Sequence, residues 1–231
     1  MRRRNKVSGL GIAVALLWGW MYRQGRTWGS TREERGRCLQ GDDLVARARL
    51  VTNHATTIRA RAEDVWPWLV QMGWHRGGWY TYRWVDRLLF PANRPSADSI
   101  LPQWQVLRVG DHIPDGAPQT GCFFNVEMLE PNKALVLRSW THLPPQMRAN
   151  PRYRLDWTWG FYLEEVGERQ TRLLFRTRAT LTPMWLRLLY RVILVPADFV
   201  MGRSMCLGIK RRVERSCFGW TTALRTSGRN L

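Results

Sequence analysis

Residues 65–89 of this chain read VWPWLVQMGWHRGGWYTYRWVDRLL, which places five tryptophans and two tyrosines around the glycine pair Gly77-Gly78. A Trp or Tyr side chain buries a large apolar body and keeps one polar group that needs a partner. At this density around a flexible glycine pair, these side chains predict the wall of an apolar pocket or a surface that faces a membrane. Ordinary packing of aromatic side chains in a core is the alternative.

The position of each aromatic residue in this run indicates its expected role. Trp66 and Trp68 lie on a predicted short helix, so we expect both in the core. Trp79, Tyr80 and Tyr82 follow the glycine pair. We therefore expect these three side chains to line the mouth of a cavity and to contact a ligand.

The segments around the run predict an antiparallel sheet. Residues 123–129 alternate between apolar and polar side chains, which is the pattern of a half-buried strand. One covered face and one wet face are typical of antiparallel sheets. The predicted strands are Leu50–Ile58, Phe123–Leu129, Ala134–Trp140, Asp156–Val166 and Thr171–Leu181, with a hairpin turn at Gly167–Gln170.

Three helices accompany the predicted strands. Ala62–Met72 and Tyr82–Leu89 are short and follow the first strand, whereas Met184–Val213 is long and mostly apolar. Pro196 is expected to kink the long helix. A helix this apolar must be covered, and the inward face of the strands is its best cover. The predicted fold class is therefore α+β, with an antiparallel sheet wrapped around a long C-terminal helix.

The N-terminus combines a basic cluster, Arg2–Arg4 with Lys6, and the 16 uncharged residues of Val7–Tyr22. As a helix this segment would be about 24 Å long, and a membrane span normally needs about 20 residues. Its bulky end is a poor signal-peptide cleavage site. We expect an N-terminal hydrophobic helix that anchors the protein to a membrane; without such an anchor the expected localisation is cytoplasmic. A helix lying on the membrane surface or on the protein itself is the alternative.

Composition suggests how the chain is divided and what it binds. The net charge is +18, and all but three of the 36 basic residues are arginines. Such a surface attracts nucleic acid, anionic lipid or acidic small molecules, and the alternative, which we favour, is an arginine-rich solvated surface without a binding role. The predicted parts are a basic N-terminus with an anchor (1–24), a linker or arm (25–49), the sheet-and-helix domain (50–217) and a flexible tail (218–231).

The polar residues show no recognised catalytic or metal-binding pattern. The four cysteines and four histidines lack metal-ligand spacing, so no metal, no cofactor and no catalytic residue is predicted. Nucleic-acid binding usually concentrates basic residues on one element, whereas these are spread along the chain. Nucleic acid is therefore kept only as a third hypothesis, and the sequence predicts no oligomeric state.

Eight short segments between Trp28 and Glu214 carry a resemblance to a known family. They are WGST (28–31), GDD (41–43), VWPWLVQMG (65–73), RGGWYTY (76–82), SAD (96–98), LRVGD (107–111), PADFVM (196–201) and GIKR (208–211). With these segments, and with the element order known as helix-grip, the chain resembles the SRPBCC superfamily (START-like, polyketide cyclase/dehydrase-like), in a poorly characterised bacterial branch. Arg83 departs from the family pattern, which has an acidic residue there, and Gln40 stands in place of a proline.

The resemblance implies a deep cavity between the sheet and the C-terminal helix, suited to a hydrophobic or aromatic small molecule or a lipid. It supplies no catalytic set. Arg138 lies mid-strand, where a charge must be paired or solvated. Facing inward it would hold a ligand carboxylate or phosphate, and facing outward it is ordinary surface. The residues predicted to bind ligand are Trp79, Tyr80, Tyr82, Arg138, Trp157, Trp159, Phe175, Met201 and Met205.

Two functions follow from these observations. The first is a membrane-tethered START-like domain that binds a hydrophobic molecule or lipid. The alternative is a cyclase/dehydrase-type enzyme acting on a polyketide-like or aromatic substrate, with Tyr82, Asp86 or His75 as proton carriers. Catalysis requires at least two such groups to converge in one cavity.

Overall fold

The alternating segments form one antiparallel sheet of six strands in the order β1-β6-β5-β4-β3-β2. The computed structural model describes the backbone of residues 2–89 and 91–227 and the side chains of residues 9–88 and 91–217. The five predicted strands are confirmed, and one three-residue strand, too short to alternate visibly, was not predicted. The strands are β1 (Leu50–Ile58), β2 (His112–Pro114), β3 (Phe123–Glu130), β4 (Ala134–Ser139), β5 (Arg154–Gly167) and β6 (Gln170–Thr182).

The helices follow the predicted order but differ in extent. Two short helices come after β1, as predicted. The final helix continues past its predicted end at Val213 into residues 218–227, which were predicted to be part of a flexible tail. Residues 228–231 of the predicted tail lie outside the described residues. Short 3-10 turns occur at Asp42–Val45, Pro102–Trp104 and Pro118–Thr120. The α-helices are α1 (Arg2–Thr27), α2 (Arg32–Gly36), α3 (Ala62–Val70), α4 (Arg83–Leu89), α5 (Pro145–Arg148), α6 (Met184–Leu189) and α7 (Val195–Ser227).

Pro196 disturbs the C-terminal helix where the sequence predicts a kink. The turn before α7, Tyr190–Leu194, is π-helical and joins α6 to α7. Proline has no N–H to give to the carbonyl four residues earlier. That carbonyl belongs to Val192, and it accepts a hydrogen bond of 2.9 Å from the indole Nε1 of Trp18. The Val192 carbonyl, which Pro196 leaves without a donor, is therefore paired by a tryptophan of α1.

The inner face of the sheet packs on α7 and forms the main core. Trp159 and Phe161 of β5 and Phe175 of β6 lie in the same buried cluster as Met205 and Ile209 of α7. The rings of Phe161 and Phe175 are stacked, with centroids 4.8 Å apart. This arrangement is the sheet-over-helix layout that the sequence predicts.

Part of the outer face of the sheet is covered by the arm, residues 28–49, rather than by water. Residues 172, 176 and 178 of β6 point away from α7, as their alternation predicts, yet Arg176 is only 3% exposed. Its guanidinium donates to the Asp42 carboxylate (2.7 Å) and to the backbone carbonyls of Glu34 and Arg37 (2.7 and 2.9 Å). At least one of the many arginines of this chain therefore attaches the arm to the sheet through hydrogen bonds.

The N-terminal segment is helical, and its second half docks on the domain. The ring of Trp20 packs edge-on against Phe199 with centroids 5.3 Å apart. His54 Nε2 lies 2.8 Å from the Gly25 carbonyl oxygen. A Cβ at Gly25 would overlap the Val195 carbonyl oxygen, so a side chain there would separate α1 from α7.

The predicted position of the membrane-capable helix was wrong. Among the described residues, the helix long and apolar enough to cross a membrane is Met184–Cys217, and 44% of its apolar window is buried as in a core helix. The apolar part of α1 is shorter than the apolar part of Met184–Cys217, because the polar residues Arg23, Gln24 and Arg26 follow it directly. Val7 and Ser8, at the start of the predicted anchor, have side chains outside the described residues.

Candidate ligand cavity

A cavity of about 180 Å³ lies between the inner face of the sheet and the start of α7. Strands β1, β5 and β6 supply one wall, and the helical residues from Tyr190 to Met201 supply the other. The volume slightly exceeds the roughly 150 Å³ that accommodates one benzene ring. The apolar part of the lining includes Leu50, Leu155, Trp157, Trp159, Ala179 and Met201.

The π-helical turn forms one edge of the cavity mouth. Tyr190 and Leu194 line the cavity, and Leu194 is also 42% exposed to solvent. The Tyr190 hydroxyl donates to the His142 carbonyl at 3.1 Å, which holds the ring in place. The irregular turn that Pro196 imposes thus shapes the opening.

Three of the predicted ligand-binding residues line this cavity: Trp157, Trp159 and Met201. Phe175 and Met205 lie behind the wall in the same core cluster, and both are almost fully buried. Alternation along β5 and β6 predicts Trp157, Trp159 and Phe175 on the covered face, where the structure places them. Contact with a ligand remains a prediction for each of them.

The residues after the glycine pair are core residues away from the cavity. Trp79 and Tyr80 are both 0% exposed. Trp79 packs edge-on against Trp159 with centroids 5.3 Å apart, and the Tyr80 hydroxyl donates to the Trp68 carbonyl at 2.9 Å. Position 78 requires glycine, because its φ is +77° and a Cβ there would overlap the Ser96 side chain. The glycine pair therefore forms a packed turn.

Arg138 lies on the outer face of the sheet. It shares that face of β4 with Ala134 and Val136, which pack away from α7. Its guanidinium makes a bidentate ion pair with Asp156 at 2.8 and 2.9 Å. The pair raises the pKa of Arg138. Arg138 is therefore not available to an anionic group in the cavity.

The three candidate proton carriers are also outside the cavity lining. Tyr82 accepts a hydrogen bond from Arg203 at 3.1 Å, and Asp86 accepts a short one from the Thr81 hydroxyl. His75 is exposed, and its backbone N–H donates to Asn93. These positions do not supply the converging proton carriers that the enzyme alternative requires.

Ser139, His142 and Asp115 form a polar cluster with the residue types of a hydrolytic triad, but its serine is buried. His142 lies 2.7 Å from the Ser139 hydroxyl through Nδ1 and 2.8 Å from Asp115 through Nε2. Ser139 is 1% exposed and also accepts a hydrogen bond from the Thr141 N–H. These hydrogen bonds fasten the loop that contains Asp115 to the end of β4. Sequence spacing gave no signal for this cluster, because Ser139 and His142 are three residues apart but Asp115 is 27 residues from His142 and joins them only through the fold.

Two polar residues beside the cavity, Thr52 and Asp198, were not predicted. Asp198, in the first turn of α7, is half-buried at the cavity and accepts a hydrogen bond of 3.0 Å from the Thr52 hydroxyl. Burial raises the pKa of the Asp198 carboxyl, against the opposing effects of His54 and of the Thr52 hydrogen bond. Among the described residues, no group of three or more His, Cys, Asp or Glu side chains converges as a metal site would.

The environment of Asp198 predicts a pH-dependent stability difference. A carboxyl with a raised pKa in the folded state keeps its proton to a higher pH than in the unfolded chain, so ionisation destabilises the fold as pH rises above about 4. Asp198→Asn should therefore gain stability relative to the wild type between pH 3 and pH 8. Urea denaturation of both proteins at the two pH values measures this, and a difference independent of pH would contradict it.

The comparisons with known proteins found similar solved structures but no match in sequence. No family model and no curated protein matches the chain. Solved structures that are similar include a protein from Mesorhizobium loti (TM-score 0.42, 15% identity, covering 72% of this chain and 98% of that one). A polyketide cyclase-like protein from Corynebacterium glutamicum is also similar (TM-score 0.38, 15% identity, 72% and 93% covered).

The di-domain ARO/CYC protein BexL is a further similar structure, with a TM-score of 0.35 and 15% identity, covering 71% of this chain and 46% of BexL. At these values the likeness concerns the fold alone. Polyketide cyclase-like proteins are thus among the structural neighbours of this chain, whose own element order is the helix-grip order predicted from its sequence.

Proposed function

We propose that the protein is a membrane-tethered helix-grip domain that binds a hydrophobic small molecule or lipid in the cavity under α7. The observation that carries this proposal is the position of the cavity mouth. Tyr190 and Leu194 line the cavity and belong to a helical segment whose large apolar side chains are exposed. A ligand can therefore pass between the cavity and an apolar surface without crossing water.

That surface, which we name the apolar helical surface, consists of residues 9–20 of α1 and Met184–Leu194. Every residue from 9 to 20 is exposed, around the whole circumference of the helix. The Trp18–Val192 hydrogen bond joins the two parts. The strongly exposed apolar side chains are Leu10 (68%), Ile12 (62%), Leu16 (69%), Met184 (71%), Leu188 (59%) and Ile193 (54%).

Lipid is the cover that best fits this surface. A helix that is apolar all round needs an apolar environment, and exposed patches of this kind mark interaction sites. Trp18, Trp20 and Trp185, each about half exposed, suit the membrane interface. Arg23 and Arg26 follow the first segment, Arg187 and Arg191 lie within the second, and all four favour anionic headgroups.

Vesicle flotation tests the tether. The full chain should float with vesicles of phosphatidylcholine and phosphatidylglycerol, and Leu16→Glu combined with Ile193→Glu should weaken binding by at least about tenfold, because charged side chains cannot enter the apolar layer. Val106→Glu is the matched control, since Val106 is 72% exposed but outside the apolar helical surface. Equal flotation of both variants would rule out this surface as the membrane contact.

A further inference from the structure

A groove with a volume of about 440 Å³ lies on the outer side of the sheet, at the end of β4 and the start of β5. Three arginines from different elements line it: Arg138 from β4, Arg148 from α5 and Arg154 from β5. The other described lining residues are Trp140, Leu143, Tyr153, Leu155 and Asp156. Three guanidinium groups and one carboxylate give this lining an excess of two positive charges.

The arginines of the groove keep hydrogen-bond donors that the protein does not use. The ion pair with Asp156 engages Nε and Nη2 of Arg138, so Nη1 has no partner among the described residues. Arg148 donates to two backbone carbonyls of the loop before β3, which holds its guanidinium in place. In the described part of the chain, the guanidinium of Arg154 makes one hydrogen bond, a long one of 3.5 Å to the Pro151 carbonyl. The three arginine side chains are half-buried or exposed, so an anion can reach their remaining donors.

The groove borders the apolar helical surface. Tyr153, which lines the groove, packs edge-on against Trp185 of α6 with ring centroids 6.0 Å apart. Leu155, also in the lining, belongs to the same buried cluster as Leu186 of α6. Trp140 is 48% exposed and suits a membrane interface as Trp185 does. A lipid whose chains lie against α6 can therefore place its headgroup in the groove.

We propose that this groove binds a phosphate monoester, either on a lipid headgroup or on a soluble molecule. The planar guanidinium of arginine donates two parallel hydrogen bonds to phosphate oxygens. A monoester carries about 1.5 to 2 negative charges at pH 7, which matches the positive excess of the lining. The volume of the groove is within the range of about 300 to 1,000 Å³ that small-molecule sites occupy. The groove is separate from the cavity under α7, so this inference does not depend on the ligand proposed for that cavity.

Titration calorimetry with sn-glycerol 3-phosphate tests the groove directly. The full chain is kept in a non-ionic detergent at pH 7, so that no lipid phosphate competes. Arg154→Gln should weaken binding about tenfold, because a charge-assisted hydrogen-bond donor to the phosphate is lost. Arg152→Gln is the matched control, since Arg152 is exposed in the same loop and is not among the described lining residues. It removes the same charge and should change the affinity less than about twofold.

Vesicles distinguish a lipid headgroup from a soluble ester. Phosphatidic acid carries a phosphate monoester and phosphatidylglycerol a diester, so each is mixed with phosphatidylcholine to the same zeta potential. If the ligand is a lipid, the wild type should bind the phosphatidic acid vesicles about fivefold more tightly. Arg154→Gln should lose this preference, and Arg152→Gln should keep it. Equal binding of both vesicle types, together with binding of glycerol 3-phosphate that depends on Arg154, would assign the groove to a soluble ester.

The inference and the proposed function fail independently. Equal effects of Arg154→Gln and Arg152→Gln in both assays would show attraction by net charge alone and would overturn the inference. Absence of glycerol 3-phosphate binding combined with no preference for phosphatidic acid would overturn it as well. The Leu16→Glu, Ile193→Glu double variant leaves the groove intact, so in detergent it should bind glycerol 3-phosphate as the wild type does. Loss of vesicle binding by that variant therefore reports on the tether and not on the groove.

Discussion

Replacing Arg176 by methionine is expected to lower the free energy of unfolding by about 3 to 5 kcal/mol. The guanidinium is 3% exposed and donates to Asn53, Asp42 and two backbone carbonyls of the arm. Removal leaves the Asp42 carboxylate with the Leu39 N–H at 3.0 Å and the more distant Arg178 at 3.6 Å, so the carboxylate keeps no close cation, and the two carbonyls lose the guanidinium that donates to them. Urea denaturation followed by circular dichroism measures the loss.

Arg138→Met is the matched control for this prediction. Arg138 is also a mid-strand arginine on the outer face and also pairs with an aspartate, but its side chain is 27% exposed and that of Asp156 is 30% exposed. Solvent weakens such a pair, so the loss should be at most about 1 kcal/mol. Equal losses for the two variants would show that the arm does not cover the outer face as described.

Trp159→Ala is expected to cost about 3 to 5 kcal/mol and to enlarge the ligand cavity. Trp159 is 1% exposed and lies at the centre of an aromatic cluster, with ring centroids 5.3 Å from Trp79 and 4.7 Å from Phe124. Its removal deletes these contacts and opens the wall between the cavity and the core. Thermal and urea denaturation report the cost, and binding of naphthalene in nanodiscs reports the added space.

Trp140→Ala provides the comparison, because Trp140 is 48% exposed and lies beyond the end of β4. Its loss should be well under 1 kcal/mol, with unchanged naphthalene binding. If Trp159→Ala were as stable as Trp140→Ala, the cluster around Trp159 would not be the packed core described above.

The sheet and the long helix could be predicted because their signals are local. Alternation along residues 171–181 depends only on neighbouring positions, and it gave both the strand and its inward face. The same alternation could not show that the arm covers the outer face. Contacts such as Arg176 with Asp42 join residues far apart in sequence, and residues 25–49 resemble a linker in composition.

The aromatic run at 65–89 shows a similar limit. Its density indicated a pocket wall, and the position of Trp79 and Tyr80 after the glycine pair suggested that both would line a cavity mouth. Both are instead buried, because Gly77 and Gly78 allow the backbone to pack closely against Tyr80 and Ser96. The actual cavity is lined by β1, β5, β6 and the helix start, and its polar residues, Thr52 and Asp198, come together only through the fold.

Mass spectrometry of organic extracts tests the central claim, that the cavity under α7 holds an apolar ligand. The full chain is purified from cells and extracted beside Ala179→Phe, whose added ring occupies the cavity, and Ala149→Phe, a control at an exposed position. We predict a compound in near-equimolar amount with the wild type and with Ala149→Phe, and its loss from Ala179→Phe. No compound in any of the three proteins, or equal amounts in all three, would contradict the claim.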